Sequence, residues 1–327
     1  MVLKRPRLAG AIKGSRIDTK PFRIRGARVP YAGSVQGERS LVFVPGLATT
    51  SRLFSIVAAN LARDHRVVTV DLPGHGEYRQ DAELASLAAA ADAVRAVIDT
   101  LSLRNAVLVG WELGSDVAYT FLQLFGTDQV SAVISMEESA HIAGGSARAN
   151  GRQEDFTPGT GDAQATRSEA VEITRKLIRT LRTARNLDSK MLAELESDAL
   201  ACDPRALQSL LAEARVRGRQ DWSTIKVPTL FVRGANTSAL PFGSEAQIID
   251  PARGTELIVI PNSGNLPFLD EPSLFCDKLR SFMTQYAPRM APQGLSRSCV
   301  RVRSRRQIPS GASYGSRATS PYRTHIW

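Results

Sequence analysis

Short apolar runs alternate with amphipathic stretches along most of the chain. Leu41–Val44 (LVFV), Val67–Val70 and Ala106–Val109 are continuous apolar runs of the length of buried strands. Between them, Arg52–Arg63 places Leu53, Ile56, Val57 and Leu61 at helical spacing, and Asp81–Leu101 is Ala-rich with a period of 3.6. Leu113–Phe125 reads as a helix stopped by Gly126, and Val130–Met136 as another strand. The segment 21–34 reads as two short strands around Gly26. The alternation then breaks. His141–Asp162 is rich in Gly, Ala and polar residues and reads as a loop, and helical patterns follow at about 166–185, 188–201 and 204–217 with no strand between them. Strand patterns resume at Val227–Val232 and Glu256–Ile260, and Pro272–Tyr286 is a closing helix. This order predicts an α/β fold with a mostly parallel sheet, interrupted by a helical insertion that reads as a cap. A site is expected at the loops following the strands.

Charge changes this picture only at the ends. The 327 residues carry a formal net charge of +10. Residues 1–28 hold +8 and residues 286–327 another +8, leaving −6 for the body between them. The basic charge, with the cluster Arg301, Arg303, Arg305 and Arg306, lies in segments without an apolar period. The aromatics that stack bases are sparse in the tail and no nucleic-acid-binding motif appears, so the charge alone does not make nucleic acid the expected partner. The expected organisation is a disordered basic N-terminus at 1–20, a core at 21–140 and 222–286, a cap at 141–221 and a disordered basic tail at 287–327. No apolar run is long enough to span a bilayer. Cys202, Cys276 and Cys299 are far apart with no metal-ligand spacing, which points to a reduced, cytoplasmic protein without a metal.

Four stretches together resemble the α/β-hydrolase fold family: VFVPGLATTSRLF (42–54), VVTVDLPGHGEY (67–78), LVGWELGSDVAYTFLQLFG (108–126), and VPTLFVRGANTSALP (227–241) followed by LIVIPNSGNLPFLDEP (257–272). The G-W-x-L-G elbow and the F-L-x-E-P ending look most like the perhydrolase/chloroperoxidase-like and carboxylesterase branch. The resemblance implies a nucleophile on a strained strand-to-helix turn, a histidine to activate it, a carboxylate to orient the histidine, and two backbone N–H groups for the oxyanion. Those positions carry other residues here. The elbow holds Glu112 in Gly110-Trp111-Glu112-Leu113-Gly114. The acid position is Thr237, with no Asp or Glu between Asp221 and Glu245. The histidine position is Asn265, and Pro45-Gly46 stands where H-G is usual. The expected oxyanion amides are those of Leu47 and Leu113.

All three triad side chains are thus replaced inside an intact glycine frame. Losing any one typically costs on the order of 10⁴-fold in rate. The expectation is a non-hydrolytic protein without a cofactor, its Glu112 carboxylate occupying the oxyanion site at a helix N-terminus. The alternative is an enzyme acting on a small apolar, ester-like substrate, with Glu112 as nucleophile or general base beside Glu137, Glu138 and His141. Trp111, Trp222, Phe242 and Phe268 would line an apolar pocket, although core packing is expected of at least two. His75, in Pro73-Gly74-His75-Gly76, is expected to be structural.

Overall fold

The computed structural model describes the backbone of 17–18, 22–24, 27–29 and 31–34, and residues 39–76, 78–79, 85–136, 189–217, 221–237, 249–250 and 254–286. The described residues form ten strands: β1 (Ile17–Asp18), β2 (Phe22–Ile24), β3 (Ala27–Val29), β4 (Tyr31–Ser34), β5 (Ser40–Val44), β6 (Arg66–Val70), β7 (Ala106–Trp111), β8 (Val130–Met136), β9 (Thr229–Gly234) and β10 (Thr255–Ile260). Eight of them form one sheet in the order β1-β4-β6-β5-β7-β8-β9-β10. The six from β6 to β10 run parallel, and β4 and β1 extend the β6 edge antiparallel. The two strands expected around Gly26 include β2 and β3, which among the described residues pair only with each other. The second expected strand also takes in β4, which joins the main sheet, and β1 falls within the stretch expected to be frayed. Each is short and joins the sheet through backbone hydrogen bonds, which leave little trace in hydrophobic periodicity.

The helices are α1 (Ser55–Leu61), α2 (Leu87–Thr100), α3 (Leu113–Phe125), α4 (Ser189–Leu200), α5 (Pro204–Arg217), α6 (Pro267–Asp270) and α7 (Pro272–Tyr286). The expected helix 52–63 divides into a 3₁₀ turn, Ser51–Phe54, and α1. The Ser86 hydroxyl caps α2 by accepting from Ala89 N at 3.0 Å, so the helix starts later than its Ala-rich composition suggests. Strand alternation sorts the core into two layers. Val42, Val44, Leu108 and Val133 face α2 and α3, whereas Leu41, Phe43, Val107 and Ile134 face the side that holds Val57 of α1 and Phe275 of α7.

After β5 the chain crosses through α1 to β6 on one side of β5, and β7 then pairs on the other side. The loops leaving β5 and β7 therefore diverge at a topological switch point, where open α/β sheets place their ligand crevice. Between β8 and β9 the described residues contain α4, α5 and a 3₁₀ turn, Trp222–Thr224, and no strand. Helix α5 docks on the start of α2: Leu87 N donates to Glu213 Oε2 at 2.7 Å, and Ser209 Oγ donates to Ala85 O at 2.8 Å. The expected helix at 166–185, most of the N-terminal segment and the tail lie outside the described residues. No helix of the described residues is long and apolar enough to cross a membrane.

Candidate functional site at the switch point

Glu112 sits between β7 and α3 with φ 47° and ψ −115°, a conformation that side-chain-bearing residues rarely adopt. Both flanks hold it there. Glu112 N donates to Met136 O at 2.9 Å, and Ser115 N donates to Glu112 O at 2.8 Å. The glycines are needed because backbone passes where a side chain would be. A Cβ on Gly110 would lie 2.3 Å from Gly114 O, and one on Gly114 would lie 2.0 Å from Val44 O. The elbow is thus wedged against the end of β5.

The loop after β5 lies beside it. A Cβ on Gly46 would meet Trp111 Cε3 at 2.7 Å and Glu112 Oε2 at 3.2 Å, which places the carboxylate against the Pro45–Gly46 turn. The amides of Leu47 and Leu113 are those expected to clasp this carboxylate. The glutamate, one methylene longer than an aspartate, is long enough to reach Gly46. Ala48 has φ 58° and donates its N–H to His75 Nε2 at 3.1 Å. His75 is fully buried, and its Nδ1–H donates to Pro73 O at 3.0 Å. Burial holds the ring neutral, with its pKa pushed down to about 4. It pins two loops and has no free nitrogen for proton transfer.

The two late positions reach the same end of the sheet. Trp111 Nε1 donates to Asn265 O at 2.9 Å, tying the loop after β10 to the residue before the elbow. A Cβ on Gly234 would lie 2.1 Å from Gly264 O, and Asn236 N donates to Ser263 O at 2.8 Å, so the loops after β9 and β10 touch. Beneath them, Asp270 accepts from Gly264 N at 2.9 Å and from Ser263 Oγ at 3.2 Å. Asn265 is 9% exposed, and its Oδ1 is buried without a hydrogen-bond partner among the described residues. Thr237 is half-buried, its N–H directed at Gly234 O, 3.4 Å away.

The aromatic residues do not line one pocket. Trp111 and Phe268 are fully buried in edge-to-face contact, with ring centroids 5.8 Å apart. Trp222 packs edge-on against Tyr119 and Phe231 in the other layer of the core. They alternate to opposite faces of the sheet because they stem from different elements. Phe242, Glu137, Glu138 and His141 lie outside the described residues. Among the described residues no cluster of His, Cys, Asp and Glu could hold a metal ion.

Besides Asp270, sequence reasoning missed two further buried carboxylates beside this site. Asp71, at the end of β6, accepts from Ser51 N at 2.7 Å, and its place just after a strand is a usable signal. Asp198 of α4 accepts from Thr50 Oγ1 at 2.6 Å, a partnership across 148 positions that nothing local announces.

The sequence profile of the alpha/beta hydrolase family matches residues 41–278. The pimeloyl-[acyl-carrier protein] methyl ester esterase of Vibrio cholerae is 28% identical over 253 residues, covering 77% of this chain and 96% of its own length. An AB hydrolase superfamily protein of Bacillus subtilis is 24% identical over 265 residues, covering 76% of this chain and 91% of its own. Among solved structures, an esterase from Rhodococcus superposes with a TM-score of 0.66 at 22% identity, covering 83% of this chain and 99% of that one. A bromoperoxidase from Bacillus anthracis gives 0.64 at 16% identity, covering 82% and 100%.

Proposed function

The chain belongs to the alpha/beta hydrolase family, and we propose that within it this protein has given up hydrolysis and binds a small ligand or partner at the elbow. One observation carries the reading: the elbow keeps its strained backbone but presents a carboxylate, Glu112, lying against the turn after β5. A carboxylate there opposes the negative charge that builds on a substrate oxygen during acyl transfer. Asn265 and Thr237 have no group that takes a proton at neutral pH. The relatives named for esters suggest an apolar, ester-like ligand. A cytoplasmic setting belongs to the same proposal and rests on Cys202 and Cys276 being free thiols.

The test is a panel of short-chain aryl and methyl esters assayed with the wild type and with a triple variant, Glu112→Ser, Thr237→Asp and Asn265→His. The expected result is no turnover by the wild type and measurable turnover by the variant. Wild-type turnover that disappears on Glu112→Ala would sink the reading. It would favour a second one, supported by the esterase relatives, in which Glu112 acts as nucleophile or general base with Glu137, Glu138 and His141. That version requires any such activity to be lost on His141→Ala.

A further inference from the structure

We propose that Asp198 is a latch that makes α4 and the loop 46–52 open and close as one unit, so that movement of the helical insertion resets the backbone beside Glu112. The inference holds whether the elbow binds a ligand or turns one over. Asp198 is 8% exposed, and every hydrogen bond shown to its carboxylate comes from the far side of this junction. Thr50 Oγ1 donates at 2.6 Å, Arg52 Nε at 3.1 Å, and a second guanidinium nitrogen of Arg52 closes the fork. Just beyond it, Ala199, Cys202 and Leu207 pack around Ala48 in a small apolar cluster of their own. Asp203 N then donates to Gly74 O at 2.8 Å, reaching the turn whose His75 ring accepts the Ala48 N–H.

Ala48 is therefore gripped from two sides, by His75 and by the insertion. Its φ of 58° matters because alanine, unlike glycine, is strained there and stays only where its surroundings over-determine it. Withdrawing the insertion removes one of the two grips. Relaxation of Ala48 to negative φ rotates the neighbouring peptide planes and redirects the amide of Leu47, one of the two expected to receive an anion. This gives the loop two discrete arrangements, as a switch requires. The latch is built to open: the Arg52 side chain is 70% exposed, so water can take over the guanidinium when Asp198 leaves.

Hydrogen exchange on the full chain, read by mass spectrometry, tests this. Loop 46–52 has three reporter amides, those of Ala48, Thr49 and Ser51, each hydrogen-bonded. Asp198→Ala is expected to speed exchange about tenfold or more in α4 and in 46–52 together, with 106–125 unchanged. Faster exchange in α4 alone, or no change in either, overturns the proposal. Should Asp198→Ala loosen 106–125 as well, Thr50→Val provides the reading, because it removes a single hydrogen bond. The same paired loosening, smaller in size, supports the latch, and a change confined to 46–52 overturns it.

Discussion

Replacing Glu112 once by glycine and once by alanine measures the strain that the elbow stores. Both variants lose the carboxylate and whatever it contacts, so those contributions cancel in the comparison. What differs is the backbone. At φ 47° and ψ −115°, alanine keeps the steric conflict between Cβ and the peptide oxygens, and glycine does not. Residues held in such regions cost about 1–3 kcal/mol. Glycine gives back roughly 0.5–1 kcal/mol through its larger freedom in the unfolded chain. The glycine variant should therefore be the more stable by about 1 kcal/mol, the reverse of the order at an unstrained site. The elbow has little room to escape the strain by relaxing. Glu112 is hydrogen-bonded on both sides, to Met136 and Ser115, and Gly114 is pressed against Val44 O. Urea unfolding followed by circular dichroism gives the difference directly, provided the two variants share one slope against denaturant. An alanine variant as stable as the glycine variant, or more so, would show that the turn relaxes and that no strain is stored there.

Gly114→Ala sets a Cβ into backbone and should cost more than about 3 kcal/mol or prevent folding; Gly126→Ala, with nothing within 4 Å, should cost only the backbone strain of its φ of 72°, about 1–3 kcal/mol. Equal midpoints for the two would contradict the close approach at the elbow. His75 makes stability depend on pH. Its folded pKa of about 4 lies below the ordinary 6.5, so between those values the unfolded chain binds the proton first. Its contribution is fully present above about pH 6.5 and is lost as pH falls toward 4, amounting to about 3 kcal/mol in all. Urea midpoints measured from pH 7.5 to 4.5 should fall more steeply for the wild type than for His75→Gln. Parallel curves would refute the neutral, buried ring.

The parts of the fold legible in the sequence are those where one residue type has one physical reason. Runs such as Leu41–Val44 can only be buried strands, and Gly126 after an apolar-faced stretch ends α3 where expected. Gly110, Gly114, Gly234 and Gly264 mark the site because backbones meet at them. Features that depend on distant partners were not legible. β1 is two residues joined to β4 by backbone alone, and Asp198 finds Thr50 only after the insertion has folded over the loop. The aromatic residues misled for a related reason. Trp111 adjoins Glu112 and Trp222 stands at the end of the expected cap, yet strand and turn geometry sends them into opposite layers of the core.

The glycine frame and the chemistry it serves carry different kinds of information. Gly114 must be glycine for α3 to pass Val44 O, and Gly234 must be glycine for the last two loops to meet. These contacts close the sheet's end whatever the protein does, so an intact frame is expected in a hydrolase and in a binding protein alike. The same holds for His75, which ties the turn after β6 to Ala48. Functional information resides in the side chains that the frame holds out toward the crevice. Glu112 faces the loop that would have to receive a negative charge, and it brings a negative charge of its own. The helix N-terminus favours an anion there, but none of the backbone contacts of the elbow requires one. The carboxylate is therefore the feature that a ligand, a partner or an altered chemistry has to explain.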